Sequence, residues 1–335
     1  MDLEKLNICP GTLTINYTSY SPACLRSVFN NKKVSHILPY EQPGLNESVA
    51  EMFIENRKRI SISGVQEKIS LILEKNTLRL TKEGEQGTHI LKPIPQDVKK
   101  TDQVPANEHL TMQIASQVYG LRTAANALIF FKDGTPTYIT KRFDVKQDGS
   151  KWGIEDFATL AGKTNDIAGP NFKYNYSYEE MGYILQTYVP AWRIEIERFF
   201  TLVLFNYLFS NGDAHLKNFS VTETLSGDYV LSPAYDLINT RIHVDDTDFA
   251  LDKGLFVDTY RSGKSKITGH AHKTDFIEFA KRIGIIESRT EKLILPFLEK
   301  QAKVESLISN SFLNEPCKRA YLLHYNTKRN YLTKT

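Results

Sequence analysis

The chain has 335 residues, of which 41% are hydrophobic and 24% charged, and its formal net charge is +3. This is the composition of an ordinary soluble globular protein, and so small a charge gives no argument for bulk electrostatic binding to nucleic acid or to a membrane. There is no apolar run of the ~20 residues that cross a bilayer, no signal-peptide pattern, and no disulfide or zinc spacing among the three cysteines. We therefore expect a cytoplasmic protein, with delivery into another cell by a secretion system that uses no cleavable signal left open.

The first 55 residues are predicted to be irregular and residues 56–143 to form a β-rich lobe. Prolines interrupt any long element in the first part. In the second, apolar and polar residues alternate as they do in strands, and a helix is predicted after Pro105, with Asn107 as its cap and Gly120 at its end. The predicted strands are 69–73, 77–80, 89–92, 128–131 and 138–142.

Residues 144–335 are predicted to form an α-helical lobe. Apolar residues recur there at helical spacing, most densely over 194–209, which we expect to be a buried helix that delivers Asn211 and Asp213 at its end. The predicted helices are 155–161, 178–188, 194–209, 274–283, 290–298 and 302–307.

Three polar residues of this lobe occur along the chain in the same order as the catalytic and metal-binding residues of a protein kinase. Four residues separate Asp213 from Asn218, as they separate the catalytic Asp from the metal-binding Asn in a protein-kinase catalytic loop. A predicted hairpin, with strands at 219–222 and 228–231, then leads to Asp236. Mg²⁺ prefers carboxylate and amide oxygens, and an aspartate beside an attacking hydroxyl can accept its proton. The pattern predicts Asp213 as the base and Asn218 and Asp236 as Mg²⁺ ligands.

Two further side chains of the same loop are weighed separately. His215 is expected to brace the loop, because no Glu-x-x-His or cysteine partner accompanies it as in a transition-metal site. Lys217 lies where it could reach a γ-phosphate or the acceptor.

The β-rich lobe carries candidates for nucleotide binding. The small residues of the loop 61–68 would let backbone N–H groups approach phosphates, although a single glycine is also typical of an ordinary turn. Lys92 ends a predicted strand and could contact the α/β-phosphates while Glu108 holds it, or both could face solvent. At the lobe junction, Asp144 could accept a ribose hydroxyl or merely end a strand.

Seven short motifs, taken together, resemble the HipA-like serine/threonine kinases, which are toxins of bacterial toxin–antitoxin systems. The resemblance runs from about Ile60 to Arg241 and is expected to extend through the C-terminal helices. The motifs are Ser-Ile-Ser-Gly-Val-Gln-Glu-Lys, His-Ile-Leu-Lys-Pro, Asn-Glu-His, Lys-Arg-Phe-Asp, Glu-Asp-Phe-Ala, Asn-Gly-Asp-Ala-His-Leu-Lys-Asn-Phe-Ser and Ser-Pro-Ala-Tyr-Asp-Leu.

The resemblance implies an α+β, two-lobed protein-kinase-like fold with a small β-rich N-lobe and a larger all-α C-lobe. It implies an enzyme that uses ATP and Mg²⁺, with Asp213 as catalytic base and Asn218 and Asp236 as metal ligands. It also implies autophosphorylation on Ser61 or Ser63, where the added charge would lie in the place of ATP phosphates and inhibit the enzyme. The nucleotide-binding residues that it implies are Ser63, Gly64, Val65, Gln66, Lys68, Lys92, Glu108, Lys141, Phe143, Asp144, His215 and Lys217.

Partners follow from the same resemblance. Fewer residues precede the phosphate loop than in the longer HipA proteins, and in this the chain is similar to the HipT branch. In that branch a separate small HipS-like protein corresponds to the N-terminal subdomain of the longer proteins. A HipB-like antitoxin would bind DNA, so that this chain contacts DNA only indirectly, and no membrane contact is implied. The target would be a translation component such as an aminoacyl-tRNA synthetase. A small-molecule kinase and a catalytically silent scaffold in an antitoxin complex remain alternatives.

Overall fold

The computed structural model describes residues 3–42, 68–95, 98–146 and 148–334. Its chain divides into two compact units. Unit 1 comprises Met1–Gln113, Ala124–Ser150 and Val304–Lys318, and unit 2 comprises Ile114–Thr123, Lys151–Lys303 and Arg319–Thr335. Each unit is thus assembled from three stretches of chain. The consecutive lobes 56–143 and 144–335 stay a prediction.

The strands form two antiparallel sheets. The sheet of unit 1 has the order β2-β1-β3-β5-β4, and a smaller sheet of unit 2 has the order β6-β7-β8. The strands are β1 (Ile69–Glu74), β2 (Thr77–Leu80), β3 (His89–Lys92), β4 (Asn126–Phe130), β5 (Pro136–Lys141), β6 (Ile154–Asp156), β7 (Ser220–Glu223) and β8 (Tyr229–Leu231). All the strands predicted from alternation are confirmed within two residues; β6 was not predicted.

The helices include every one predicted from apolar spacing, with one partial exception. They are α1 (Pro22–Phe29), α2 (Val104–Gln117), α3 (Phe157–Leu160), α4 (Asn165–Ala168), α5 (Tyr178–Tyr188), α6 (Trp192–Leu208), α7 (Gly263–Thr268), α8 (Lys273–Arg282), α9 (Glu287–Leu298), α10 (Ala302–Asn310) and α11 (Glu315–Thr333). The exception is the predicted helix 155–161. Its start is β6, and α3 begins only where the Asp156 carboxylate accepts a hydrogen bond from the Thr159 N–H (2.8 Å).

Two expectations for unit 1 were wrong. The first 55 residues are not wholly irregular, because Pro22 starts α1 at a position that needs no N–H, and Ser21 caps that helix. Asn107 is not a cap. The helix α2 already begins at Val104, and the side chain of Asn107 is buried inside it.

The N-terminal segment of unit 1 is part of the core rather than an appendage. Its side chains form one buried cluster with apolar residues of the sheet. Hydrogen bonds join the two as well: the Tyr20 hydroxyl donates to the Leu128 carbonyl (2.7 Å), and the ring Nε2 of His89 lies 2.9 Å from the Val28 carbonyl oxygen. The cluster consists of Cys9, Tyr20, Cys24, Val28, Phe29, Val34, Leu38, Ile69, Leu71, Leu78, Leu80, Leu91, Ala127, Ile129, Phe131 and Ile139.

Unit 2 is built around α6, the apolar helix that the sequence predicts to be buried. Eleven of its 17 residues are buried, and several of its rings pack on other aromatic side chains, for example Phe200 on Phe279 and Tyr207 on Phe249. Buried aromatic rings contribute large apolar areas to a core. This rigid helix fixes the position of the loop that follows it. Within the described ranges, no helix combines the length and the apolar character needed to cross a membrane.

Candidate active site

The loop after α6 is held by the side chain of Asn211. Its side-chain NH₂ group donates to the side-chain oxygen of Asn206 (2.8 Å) and to the backbone carbonyl of Asp236 (3.4 Å). Its side-chain oxygen accepts a hydrogen bond from the Asp213 N–H (3.3 Å). Asn211 is buried. One amide therefore joins the end of α6, the predicted base and the predicted metal ligand, and it fixes their backbones relative to one another.

The carboxylate of Asp213 is half exposed, with 52% of the side chain accessible. The Tyr174 hydroxyl donates to its Oδ1 atom (2.9 Å), and His215 Nε2 lies 3.7 Å from the same atom. Desolvation by surrounding protein raises the pKa of Asp213, the charge of Lys173 and the Tyr174 hydrogen bond oppose that rise, and the charge of Asp236 adds to it. A carboxylate whose pKa is raised is the better proton acceptor, which suits the role of a base.

The two predicted metal ligands lie side by side. The Asn218 amide donates to Asp236 Oδ2 over 3.3 Å. Asp236 has a backbone φ of 56°, which is uncommon for a residue with a side chain and costs on the order of 1 kcal/mol or more. Among the described residues no group of three His, Cys, Asp or Glu side chains could hold a metal. One carboxylate and one amide oxygen fit Mg²⁺, which is commonly bound by one or two carboxylates together with substrate phosphates.

His215 and Lys217 lie in the same loop with different exposure. His215 is buried, and desolvation, reinforced by the positive charge of Lys173, lowers its pKa to about 3. It is therefore a neutral ring near neutral pH, in keeping with a bracing role. Lys217 is half-buried, and its backbone carbonyl accepts a hydrogen bond from the Tyr235 hydroxyl (3.1 Å).

In unit 1, Lys92 and Glu108 form a buried ion pair. The ammonium nitrogen lies 2.6 Å from Glu108 Oε1, and each side chain is only 4% exposed. The backbone of Lys92 is fixed by pairing of β3 with β5 and by the Thr137 hydroxyl, which donates to its carbonyl (2.8 Å). The alternative in which both side chains face solvent is thereby wrong. A buried lysine held by a helix carboxylate is what a phosphate-binding lysine requires.

The nucleotide-binding residues predicted at the lobe junction begin with Lys141, the last residue of β5. The Lys141 ammonium donates to the side-chain oxygen of Asn30 (2.6 Å), and Phe143 is half-buried. Asp144 accepts hydrogen bonds from the Arg142 guanidinium, one of them at 2.9 Å from Nε. Its carboxylate therefore already has a charged partner, and its contact with a ribose stays a prediction.

The predicted phosphate loop lies mostly outside the described residues. This concerns Ser61, Ser63, Gly64, Val65 and Gln66. Lys68, the last residue of the loop, is half-buried directly before β1.

The fold also brings residues to Asp213 that the motifs do not predict. Tyr174 and Lys173 belong to a loop before α5, and the Lys173 ammonium lies 4.9 Å from the centre of the Tyr174 ring. The Asp246 carboxylate packs on Gly212, where an added Cβ would lie 2.3 Å from its carboxyl carbon. Asn211 was expected at the end of α6, but its hydrogen bonds were not predicted. An Asn side chain commonly accepts a hydrogen bond from the N–H two residues later in an Asx turn, as Asn211 does from Asp213.

The family model and the relatives that match this chain indicate the same family. The sequence model of the HipA-like C-terminal domain matches residues 60–305. A protein of Haemophilus influenzae named "Putative kinase" is 25% identical over 89% of this chain and 88% of its own length. A relative in Sinorhizobium fredii, "Putative kinase Y4dM", is 30% identical over 58% of this chain and 48% of its own length.

Among solved structures, the chain is similar to HipA of Shewanella oneidensis, determined with HipB and operator DNA. The TM-score is 0.61 at 20% identity, over 88% of this chain and 71% of that chain. This likeness confirms the α+β, HipA-like fold of the kinase-like type expected from the motifs. With a family match over more than two thirds of its length, the chain belongs to the HipA-like C-terminal domain family.

Proposed function

We propose that the protein is an ATP- and Mg²⁺-dependent serine/threonine protein kinase. The observation that carries the proposal is the contact between the Asn218 amide and the Asp236 carboxylate (3.3 Å), with the half-exposed Asp213 carboxylate on the same loop. A base and a pair of metal ligands are the groups that phosphoryl transfer to a hydroxyl needs. The buried pair of Lys92 and Glu108 adds a lysine that would bind ATP phosphates and the carboxylate that holds it in place.

The chemistry can be assigned to these side chains. An acceptor hydroxyl donates its proton to Asp213 as its oxygen forms the bond to the γ-phosphorus, and the bond from that phosphorus to the β,γ-bridging oxygen of ATP breaks, so that ADP leaves. Mg²⁺ held by Asn218 and Asp236 would neutralise the charge on the phosphates. Lys92 contributes a second positive charge, and Glu108 fixes its position. The buried, neutral His215 gives no proton to the reaction near neutral pH.

The proposed biological role is that of a toxin in a toxin–antitoxin system. Family membership and the likeness to a HipA structure determined with HipB support a HipB-like antitoxin as partner, with DNA bound through it. The motif resemblance alone supports a HipS-like partner, an aminoacyl-tRNA synthetase as target, nucleotide contacts from Lys68, Lys141, Phe143 and Lys217, and autophosphorylation on Ser61 or Ser63.

Mass spectrometry of the purified protein with ATP and Mg²⁺ tests the proposal. We expect phosphate on Ser61 or Ser63 in the wild type and none in Asp213→Ala. Asp228→Ala, in the exposed turn between β7 and β8, removes the same charge from the same unit and should leave phosphorylation intact. Absence of phosphate from the wild type, together with absence of ATP binding, would contradict the kinase and favour the scaffold alternative.

A further inference from the structure

The hydroxyl of Tyr174 contacts the carboxylate of Asp213, the proposed base. It donates a hydrogen bond to Asp213 Oδ1 over 2.9 Å. In the proposed reaction an acceptor hydroxyl must approach the same carboxylate and donate to it before its oxygen attacks. A side chain of the protein therefore already occupies one of the two carboxylate oxygens to which the acceptor could donate.

Backbone hydrogen bonds hold this tyrosine in place. The Leu216 N–H, in the same loop as Asp213, donates to the Lys173 carbonyl (3.2 Å), and the Asp252 N–H donates to the Tyr174 carbonyl (3.0 Å). The Tyr174 ring also packs edge-on against the His215 ring, with 5.2 Å between centroids. The contact with Asp213 is thus built into the loop and does not depend on a freely rotating surface side chain.

The charges around Asp213 define what this hydrogen bond does. The groups that face the carboxylate are the Tyr174 hydroxyl, the ring of His215, the charge of Lys173 and the charge of Asp236. The phenol stabilises the ionised carboxylate, as Lys173 does, whereas Asp236 and desolvation oppose ionisation. His215, with a pKa of about 3, stays neutral above that pH.

We propose that Tyr174 competes with the acceptor hydroxyl for Asp213, so that a protein acceptor must displace the phenol before phosphoryl transfer. This inference rests on the proposed kinase function. A bound phenol also keeps water from the same position and so limits futile ATP hydrolysis. A hydrogen bond to an ionised group contributes a net of about 1.5–3 kcal/mol, which corresponds to a change of about 10- to 150-fold in apparent acceptor affinity.

The experiment compares wild type with Tyr174→Phe, which removes only the hydroxyl. Tyr176→Phe is the matched control, because Tyr176 lies in the same loop and is also half-buried. The acceptor is a synthetic peptide of residues 56–68 of the chain. We expect Tyr174→Phe to lower the peptide KM by about 10- to 150-fold, to leave kcat undiminished and to raise ATP hydrolysis in the absence of peptide. The acid limb of its kcat/KM profile should move to higher pH, because Asp213 loses a hydrogen bond to its ionised form.

Other outcomes overturn the proposal. A fall in kcat at unchanged KM would make Tyr174 a positioning residue, and equal behaviour of the two tyrosine variants would show that the hydroxyl has no role. If the wild type phosphorylates neither itself nor the peptide, the proposed function fails on its own, and the contact is then decided by ¹³C NMR titration of the Asp213 carboxyl. A pKa that Tyr174→Phe leaves unchanged would show that the hydrogen bond is not made in solution.

Discussion

The ammonium nitrogen of Lys92 lies 2.6 Å from a carboxylate oxygen of Glu108, and both side chains are buried. Removal of one partner leaves a buried charge without its counter-ion, which typically costs about 3–5 kcal/mol. We expect Lys92→Met to lose that much stability in urea unfolding and to lose self-phosphorylation. The double variant Lys92→Met/Glu108→Leu should regain most of the stability, because an apolar pair can replace a buried ion pair, yet remain inactive. Recovery of activity in the double variant would contradict a role of Lys92 in phosphate binding.

Asp236→Asn keeps the shape of the side chain and removes its charge. Because the carboxylate is the one charged member of the proposed ligand pair with Asn218, we expect activity to fall at least ~100-fold at low Mg²⁺ and to recover in part as Mg²⁺ is raised. The measurement is the rate of self-phosphorylation over a Mg²⁺ titration. Asp228→Asn makes the same charge change at an exposed turn and should leave the titration unchanged. A loss in Asp236→Asn that no Mg²⁺ concentration relieves would point to a structural role.

Gly212→Ala should disturb the loop through Asp246. The new Cβ would lie 2.3 Å from the Asp246 carboxyl carbon, so the carboxylate or the loop has to move. A displaced loop misplaces Asp213, and a misplacement of about 1 Å can cost ~100-fold in rate. The kinase rate of Gly212→Ala is therefore expected to fall by one to two orders of magnitude, and Gly212→Ala/Asp246→Gly to recover much of it. Equal rates for the single and double variants would show that the close approach is not what requires glycine.

His109 makes the folded state sensitive to acid. The ring is buried in α2 with Nε2 3.2 Å from the Gly11 carbonyl oxygen, and desolvation lowers its pKa to about 4, against about 6.5 in an unfolded chain. Below pH ~6.5 the unfolded state binds a proton that the folded state does not, so stability is lost as pH falls toward 4. The expected contribution of His109 to this loss is about 2 kcal/mol between about pH 7 and about pH 5. Urea unfolding at both pH values checks it, and His109→Gln should reduce the loss.

The features that the sequence predicted are those encoded locally. The interval between Asp213 and Asn218 lies within one loop, and the apolar residues of α6 repeat at helical spacing. Those it missed depend on contacts over long sequence separations. Tyr174 reaches Asp213 across 39 residues, and nothing near Tyr174 in the sequence marks it as a partner of a carboxylate.

The errors in unit 1 have the same origin. Asn107 has the side chain of a typical cap, but its place inside α2 is set by the fold, where its backbone carbonyl accepts a hydrogen bond from the Thr111 hydroxyl (2.9 Å). The prolines of the first 55 residues predict an irregular segment, whereas Pro22 begins a helix whose Val28 and Phe29 join the core. A residue type that ends one element can begin another, and only tertiary packing decides between the two.

The assembly of unit 1 from distant stretches has a consequence for synthesis. The Asn310 amide donates to the Leu13 carbonyl (3.2 Å), the Asn314 N–H donates to the Gln103 side chain (2.8 Å), and the ring of Phe312 packs on Phe130. A nascent chain gains these contacts only when residues 304–318 have left the ribosome, even though the sheet emerges much earlier. The unit that carries Lys92 and Glu108 is therefore completed only after unit 2 residues 151–303 have been synthesised, and a chain released before residue 304 would lack a complete one.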